Sequence, residues 1–453
     1  MLIGSILLSA VIYAIPFWFN QHFWWFIFLF PVPLLYCICN QNISFLHGYL
    51  WGCAVFILHG IGWIYLIADM AGESWSIGLM LGIGFVLYQA LFPAFLFWGI
   101  TQVIIFFSIH RPIFRLCLWT IGLWLFIMWV DWYSFLIFGV QEGYPLMHPL
   151  IILAQKPSLL WILSFFGKLL LTVLFLLMPM SIAALLWYKS LYAWLFLCIV
   201  IMPWVFCFKE LEWKHMSWHS NIKSLPCMIC STTDDSIVVI KIIGQQLKKI
   251  ITQHPTTEIV VMPESACNID NFLEISELLQ LWNKESIGKA IHFIFGASRR
   301  EGDNCYNSLY WVYDGNLQQY HDKQHAMLLT ERLSVLIDYN CLRIIYFKDR
   351  QPITISLCER KKFALLNDTA FVPYICSELF FNESVDDNGK KDPILAVIND
   401  SLFLAHFWTR YIHTLLILLA RFKAIQWQRN IVYVSYAQSL FIDECGRCKE
   451  INE

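Results

Sequence analysis

Charge is scarce in the first half of this 453-residue chain. Only 14% of all residues are charged, whereas about a quarter are charged in an ordinary soluble domain. Up to Phe208 there are nine Asp, Glu, Lys or Arg residues, and none of them precedes Asp69. So few polar side chains cannot solvate the outer face of a soluble helical core. The scarcity excludes an ordinary soluble protein and indicates a membrane half followed by a water-soluble half.

An excess of basic charge is also missing. The net charge is −2 and the isoelectric point is near 6.7, so we expect no phosphate-binding surface and no nucleic-acid partner. No basic residue precedes the first apolar segment, and no clear cleavage site follows it. That segment is therefore predicted to be an uncleaved span and not a signal peptide.

Apolar runs long enough to cross a bilayer recur through the first half. A spanning helix needs about 20 mostly apolar residues, because each residue rises about 1.5 Å through about 30 Å of hydrocarbon. Seven runs qualify, at residues 2–19, 23–40, 45–68, 78–108, 114–139, 158–187 and 190–208. The sequence predicts a polytopic helical membrane domain of about seven spans over residues 1–210.

The basic residues of the short loops set the predicted orientation. Arg111 and Arg115 follow the fourth run and Lys189 follows the sixth, whereas the odd-numbered loops carry histidine or acidic residues, with Lys156 as the exception. Because basic loops remain in the cytoplasm, the seventh span is expected to end outside. We therefore expect a multi-pass protein of the cytoplasmic (inner) membrane with residues 211–453 on the periplasmic side.

Two charged residues, Asp131 and Lys168, lie inside or beside predicted spans. A lone charge there costs about 2.5–3.5 kcal/mol on insertion scales, so a transport relay is one interpretation. The other is that Lys168 snorkels to the interface and Asp131 lies near a helix end. The absence of a spaced series of such charges favours the second interpretation.

From about Trp213 the sequence changes to short β-rich runs separated by polar turns. Helical patterns at residues 269–284 and 412–428 lie between several of these runs. Strands that alternate with helices indicate an α/β, α-β-β-α sandwich domain over residues 211–453. The apolar segment Tyr411–Ala420 is too short to span a membrane, so we expect it to pack as a helix in this domain. Predicted strands begin at Ser236, Glu258, Ala290, Leu309, Ile353, Pro393 and Asn430.

An ordered series of polar motifs runs through the second half. Glu264 directly follows a predicted strand, and carboxyl ends of strands commonly carry the functional groups of α/β folds. A carboxylate at this position can also simply cap the next helix. The further motifs, in chain order, are Phe295-Gly-Ala-Ser-Arg, Tyr306-Asn307-Ser308, Tyr320-His-Asp-Lys323-Gln-His325, Glu331, Tyr374-Ile-Cys376-Ser-Glu378 and Asn399-Asp400-Ser-Leu-Phe403.

This series resembles the nitrilase (carbon–nitrogen hydrolase) superfamily, and specifically its membrane-embedded branch, apolipoprotein N-acyltransferase. The family pattern is Pro-Glu, then Tyr-Asp-Lys-x-His with a Glu eight residues past the Lys, then Cys-Tyr-Glu and Thr-Asn-Asp-x-Trp-Phe. The likeness covers residues 215–453 in motif order, and the seven predicted spans match the family's layout. The resemblance implies a nitrilase-like catalytic domain that uses neither a cofactor nor a metal ion.

The resemblance also implies a Glu-Lys-Cys triad. Cys376 is then the nucleophile, Glu264 the general base, and Lys323 the cation that faces the oxyanion together with the main-chain N–H of Ser377. Cysteine suits two-step acyl transfer because its thiolate is reactive and forms readily beside a cation.

By the same resemblance, Glu331 and Glu378 are supporting carboxylates that hold Lys323 charged and oriented. The implied partners are a phospholipid acyl donor and a diacylglyceryl-modified apolipoprotein. The phospholipid acylates Cys376, and the α-amino group of the lipoprotein's N-terminal diacylglyceryl-cysteine then takes the acyl chain. A membrane mount keeps both substrates close to the thiol.

Other cysteines and histidines are alternative candidates for a nucleophile or a metal site. Cys358 is a second possible nucleophile, but it lacks the context of Cys376, and a hairpin end is the simpler interpretation. His321 and His325, four residues apart, have the spacing of a metal pair on a helix, but the lysine motif places them on a loop.

Two Cys-x-x-Cys pairs begin at Cys227 and Cys445, near the ends of the soluble half. They allow a four-thiolate zinc site, disulfides or unlinked thiols, of which unlinked thiols are favoured. Fifteen cysteines are unusual for an oxidising compartment, which weighs against the periplasmic assignment.

Several positions depart from the family pattern. Leu328-Leu329-Thr330 replaces Pro-Phe-Gly, Ser377 replaces Tyr, Leu402 replaces Trp, and Gln426 replaces Glu. The chain ends at Glu453, before the family's eighth span. The intact triad favours a divergent, active N-acyltransferase; the alternatives are a membrane-anchored amidase of the same superfamily and a degenerate, non-catalytic homologue. Acyl-chain preference, head-group preference and oligomeric state have no signature in the sequence.

Overall fold

The computed structural model divides the chain into two compact units. The first contains the described residues up to Phe206 together with His406–Gln426, and the second contains the described residues from 222 to 405 and from Trp427 onward. The structure describes residues 2–38, 41–70, 75–132, 145–206, 222–224, 245, 248–249, 252–254, 257–264, 291–302, 304–325, 362–364, 370–381 and 391–451.

Helices dominate the first unit, and short 3-10 turns at Trp24–Phe28, Pro145–Met147, Leu153–Gln155 and Pro157–Leu160 connect some of them. The α-helices of the described chain are α1 (Leu2–Trp18), α2 (Asn20–Phe23), α3 (Pro31–Ile38), α4 (Phe45–Met70), α5 (Trp75–Phe106), α6 (Pro112–Trp132), α7 (Pro149–Ile152), α8 (Trp161–Tyr188), α9 (Leu191–Phe206), α10 (Ser401–Ala405) and α11 (Arg410–Trp427).

Within the described residues, four helices are long and apolar enough to cross a membrane. Their spanning segments are Phe45–Leu66, Gly78–Phe106, Pro112–Asp131 and Gly167–Tyr188. Three other apolar helical segments are shorter, at 10–17 residues: Leu2–Trp18, Trp24–Ile38 and Leu191–Val205. Large apolar side chains stand exposed on these helices, such as Met80 at 73%, as expected for surfaces that face hydrocarbon. The prediction of apolar spans is confirmed for four helices, and the number seven stays a prediction.

Asp131 and Lys168 form a buried ion pair. The Lys168 ammonium donates to Asp131 Oδ1 at 2.5 Å, and the side chains of Lys168 and Asp131 are 10% and 0% exposed. Asp131 is the penultimate residue of α6, as predicted, but the expectation that Lys168 snorkels is wrong. Its ammonium turns inward because Asp131 offers a counter-charge in a buried position that water does not reach.

Helix α11 belongs to the first unit, although the sequence suggested that it packs in the soluble domain. Its buried residues, including Ile412, Leu415, Leu416 and Leu419, recur at helical spacing. Tyr411 donates a hydrogen bond to the His59 carbonyl of α4, and its ring stacks on Trp18 of α1 at 4.5 Å. An apolar stripe indicates that one face of a helix is buried, but it does not indicate which part of the protein packs against that face.

Two β-sheets dominate the described part of the second unit. The first has the order β1-β2-β3-β4-β5, with β1, β2 and β3 parallel neighbours and β3, β4 and β5 antiparallel ones. The second has the order β11-β10-β9-β8-β7-β6, with β7, β8 and β9 parallel. The strands are β1 (Ile222–Ser224), β2 (Ile259–Val261), β3 (His292–Glu301), β4 (Asn304–Tyr313), β5 (Asn316–Asp322), β6 (Phe363–Ala364), β7 (Ala370–Ile375), β8 (Ile394–Val397), β9 (Ile431–Val434), β10 (Ser439–Ile442) and β11 (Cys448–Glu450).

The two sheets pack face to face around a shared apolar core. Side chains of both sheets form one buried cluster, with Val261, Ile294 and Leu309 from the first sheet and Ile375, Val397 and Val434 from the second among its members. This is the β-β centre of the predicted sandwich. Of the predicted helices, residues 269–284 lie outside the described residues, as do the predicted strands that begin at Ser236 and Ile353.

Two strands that matter for the site were not predicted from the sequence. Strand β5 is polar along an exposed edge, so it lacks the apolar alternation by which strands are recognised. Strand β7 contains Pro373. Because proline has no N–H to donate to a β-ladder, a proline within a run argues against a strand, and this run was not predicted as one. Both strands end directly before a predicted site residue, Lys323 and Cys376.

Candidate active site

Glu264 lies at the carboxyl end of β2. Val260, Val261 and the following Met262 are buried, and the Met262 N–H still pairs with the Ile294 carbonyl at 2.8 Å. Pro263 then ends the ladder because it has no N–H, and the chain turns at Glu264. Glu264 as a residue is 3% exposed, and the Tyr436 hydroxyl donates to its main-chain carbonyl at 3.2 Å.

Lys323 follows β5 and faces Glu264. Its main-chain N–H donates to the Asn307 carbonyl at 2.8 Å, which extends the β4–β5 pairing by one residue. The ammonium lies 3.0 Å from Glu264 Oε1, and the residue is 1% exposed. The structure therefore brings together two of the three predicted triad residues as a buried ion pair.

Two further donors complete the surroundings of the Glu264 carboxylate. Asn307 Nδ2 donates to Oε1 at 2.7 Å, and the main-chain N–H of Asn399 donates to Oε2 at 3.0 Å. An ionised carboxylate is an acceptor only, so three donors satisfy most of its capacity. Sequence reasoning placed Asn307 and Asn399 among the motifs but gave them no role, since only strand register shows that they face Glu264.

Cys376 begins a 3-10 turn, Cys376–Phe380, directly after β7. Its φ of 47° is in the left-handed region, which a residue with a Cβ adopts at a cost of about 1–2 kcal/mol. The side chain is partly buried and packs against the apolar core between the sheets. A residue with a strained backbone on a sharp strand-to-helix turn is a common position for a nucleophile.

Glu378 links the Cys376 turn to the Lys323 loop. This fully buried carboxylate accepts the N–H of Ile375 at Oε2 and the N–H of Gln324 at Oε1, both at 2.7 Å. Each of these donors is the chain neighbour of a predicted triad residue. The Glu378 side chain thus positions both segments through their main chains, a mode of support that its sequence position does not reveal.

The remaining supporting residues are only partly described. Ser377 Oγ donates to the His325 carbonyl at 2.8 Å, a second link between the same two segments. His325 stacks on Phe381 with ring centroids 4.0 Å apart, and Glu331 lies outside the described residues. His321 is on β5 and not on a loop, with Nε2 3.4 Å from Glu378 Oε2.

An arginine clamp holds the residue before Lys323. Arg299 of β3 donates to both oxygens of Asp322, at 3.0 and 2.6 Å, and its guanidinium lies over the rings of Tyr306 and Tyr320. The hydrogen bonds to Asp322 raise the pKa of Arg299 above its already high value. The clamp thus holds the end of β5 directly before Lys323.

The competing cysteines do not build a metal site in the part of the chain that the structure describes. Cys445 lies in the turn between β10 and β11, and Cys448 is the first residue of β11; both are thiols outside any disulfide. Cys227, Cys230 and Cys358 lie outside the described residues. Among the residues that the structure describes, no three His, Cys, Asp or Glu side chains are grouped to hold a metal ion.

Comparison with known proteins gives structural likeness only. No protein-family model matches the sequence, and no curated protein is significantly similar to it. A branch 10 member of the nitrilase superfamily from Saccharomyces cerevisiae is 16% identical at a TM-score of 0.34, with 48% of this chain and 80% of that chain covered. A carbon–nitrogen hydrolase from Helicobacter pylori is 12% identical at a TM-score of 0.36, with the same coverage of 48% and 80%.

A third similar structure is a carbon–nitrogen hydrolase superfamily protein from Xanthomonas campestris. It is 16% identical at a TM-score of 0.32 and again covers 48% of this chain and 80% of its own.

Proposed function

We propose that the second unit is a nitrilase-type catalytic domain and that the protein is an N-acyltransferase of the apolipoprotein type. One observation carries the proposal: the buried Glu264–Lys323 pair is tied through Glu378 to the strained turn that begins at Cys376. A base, a cation and a thiol on neighbouring braced segments are what two-step acyl transfer needs.

In the first step, the Cys376 thiol transfers its proton to Glu264, and the sulfur attacks the ester carbonyl carbon of a phospholipid. Negative charge develops on the carbonyl oxygen, opposite the Lys323 ammonium and the main-chain N–H of Ser377. When the intermediate collapses, the ester C–O bond breaks and the alkoxide takes the proton from Glu264. The products are an acyl thioester on Cys376 and a lysophospholipid.

In the second step, the α-amino group of a diacylglyceryl-cysteine lipoprotein attacks the thioester carbonyl. Glu264 takes a proton from the amine, the C–S bond breaks, and the same proton returns to the departing sulfur. The amide product carries one additional acyl chain, and the Cys376 thiol is restored. Glu264 is thus a base and an acid in each half of the cycle.

The apolar helices support the proposed substrates. Four segments of the first unit can span a bilayer, and an enzyme mounted in this way meets phospholipid and lipid-anchored protein at high local concentration. We propose seven spans in the inner membrane, with the catalytic domain on the periplasmic side, because the basic residues Arg111, Arg115 and Lys189 follow even-numbered spans. This is the side on which lipoproteins are processed.

The test is an acyl-transfer assay in detergent micelles. Phospholipid and a synthetic diacylglyceryl lipopeptide are mixed with the purified protein, and the mass of the peptide is measured. The proposal predicts a gain of one acyl chain that is lost in Cys376→Ala and retained in Cys305→Ala, a matched control at another partly buried cysteine of the same unit.

Other outcomes discriminate between the functions. No mass gain, with release of amine from small amides that depends on Cys376, would replace the proposal by a membrane-anchored amidase. If the native protein catalyses neither reaction and no acyl adduct forms on Cys376, the protein is non-catalytic.

A further inference from the structure

Asn307 contacts both members of the buried ion pair. It lies on β4 and is 7% exposed. Its side-chain Nδ2 is 2.7 Å from Glu264 Oε1, and its main-chain carbonyl accepts the N–H of Lys323 at 2.8 Å. One residue therefore sets the rotation of the Glu264 carboxylate and the course of the chain at Lys323.

The two carboxylate oxygens of Glu264 differ in their surroundings. Because a carboxylate offers only acceptors, the NH₂ group of Asn307, and not its oxygen, must face Glu264. Oε1 then accepts two donors, from Lys323 and Asn307, which uses both of its lone pairs. Oε2 accepts the Asn399 N–H, and in the described network one lone pair of Oε2 is left for another donor.

We propose that Asn307 is a positioning residue that saturates Oε1 and so reserves Oε2 as the oxygen that receives the thiol proton of Cys376. The inference rests on the proposed function and deepens it. In this step the S–H bond breaks and an O–H bond forms at Oε2. The negative charge moves from the carboxylate to the sulfur, and Lys323 remains paired to Oε1 throughout.

Removal of the Asn307 amide is expected to release the Glu264 carboxylate from its fixed orientation. Without it, Lys323 alone holds Oε1, the carboxylate can rotate about its Cγ–Cδ bond, and the free lone pair is shared between the two oxygens. One hydrogen bond to a charged group is lost, which corresponds to a fall in rate of about 10- to 100-fold. Binding of the lipid substrates should be unaffected, because Asn307 is buried and acts through Glu264.

The experiment compares Asn307→Leu and Asn307→Asp with Asn430→Leu. Asn430 is a matched control because it is also 7% exposed in the same unit, and its side-chain oxygen accepts the Glu444 N–H at 3.2 Å. Two readouts are taken: kcat and KM of acyl transfer, and the pH profile of Cys376 alkylation by iodoacetamide, read by peptide mass.

Asn307→Leu should lower kcat about 10- to 100-fold with KM nearly unchanged. Asn307→Asp has the same shape but puts a second carboxylate beside Glu264, and the two will share a proton. Its alkylation profile should move to higher pH by about one unit or more. Asn430→Leu should leave both readouts as in the native protein.

The inference is overturned if the alkylation profile of Asn307→Asp superposes on that of the native protein, or if Asn430→Leu loses as much kcat as Asn307→Leu. If Asn307→Leu fails to fold, the isosteric Asn307→Asp still decides the question. A native protein that transfers no acyl chain would contradict the proposed function, whereas the alkylation profiles would still test the role of Asn307.

Discussion

Replacement of Glu264 by glutamine should destabilise the second unit by more than the loss of one hydrogen bond. The glutamine side chain would have the same shape, but it offers one oxygen acceptor and one NH₂ donor where the carboxylate offered two acceptors. If the oxygen takes the Asn399 N–H, the NH₂ points at the Lys323 ammonium, donor against donor. Breaking a buried pair in this way costs about 3–5 kcal/mol.

The partner substitutions give a graded series. Lys323→Met leaves the Glu264 carboxylate with two N–H donors, from Asn307 and Asn399, so its cost should be smaller, about 2–3 kcal/mol. In the double variant E264Q/K323M, no charge remains, and Asn307 can flip its amide to accept from the new NH₂ group. The double variant should therefore regain most of the stability lost in Glu264→Gln.

The assay is thermal unfolding in detergent, followed beside the acyl-transfer rate. At about 2–4 °C per kcal/mol, Glu264→Gln should lower the midpoint by about 6–20 °C, and the double variant should recover most of that shift. All three variants should lack acyl transfer, including the double variant that regains stability, so a loss of activity can be distinguished from a loss of stability. A Glu264→Gln protein as stable as the native one, or a double variant less stable than both single ones, would refute the reasoning.

Three further predictions address other buried groups. Glu378→Gln leaves one of two buried main-chain N–H donors without its acceptor. The free energy of unfolding in detergent should therefore fall by about 1–3 kcal/mol, and kcat should fall as well. Glu378→Asp should lose as much stability, because its shorter side chain does not reach both donors. Asp131→Asn should destabilise the helical unit by about 3–5 kcal/mol, because the buried Lys168 loses its counter-charge, whereas Asp131→Leu with Lys168→Met should unfold near the native midpoint. Burial lowers the pKa of His292 from 6.5 to about 4, and its neutral Nδ1 accepts the Trp311 indole N–H at 3.0 Å. Because the unfolded chain binds the proton first, the folded state should lose stability as the pH falls from about 6.5 towards 4. His292→Phe should flatten this pH dependence when unfolding is followed by tryptophan fluorescence, and an unchanged slope would contradict the prediction.

Much of the site was predictable because its chemistry is local in sequence. Glu264, Lys323 and Cys376 each stand in a short motif, and the structure places the first two in contact at 3.0 Å. The mode of support was not predictable. Glu378 was expected to act on the Lys323 ammonium, and that role stays a prediction; the structure shows that Glu378 also accepts the main-chain N–H groups beside Lys323 and Cys376, which its motif does not reveal.

The fold was predictable to a similar degree. Short β-rich runs between polar turns predicted the strands at β2, β3, β4, β8 and β9, whereas the polar edge strand β5 and the proline-containing strand β7 were not predicted. Helix α11 was predicted at nearly its observed bounds, but its stacking of Tyr411 on Trp18 joins it to the first unit. Periodicity indicates which face of a segment is buried, but the elements that pack against that face are known only from the tertiary structure.

The sequence by itself determined that a half with apolar segments long enough to cross a membrane precedes a half rich in polar residues. Hydrocarbon imposes a requirement on length and charge that each segment meets or fails alone, so composition suffices. The surroundings of Glu264 were decided only by tertiary structure. Its three donors come from positions 43, 59 and 135 residues away along the chain, and strand register and sheet packing alone bring them to one carboxylate. A single sequence states which groups can act as acid, base or nucleophile, but the direction in which each one points is a property of the whole fold.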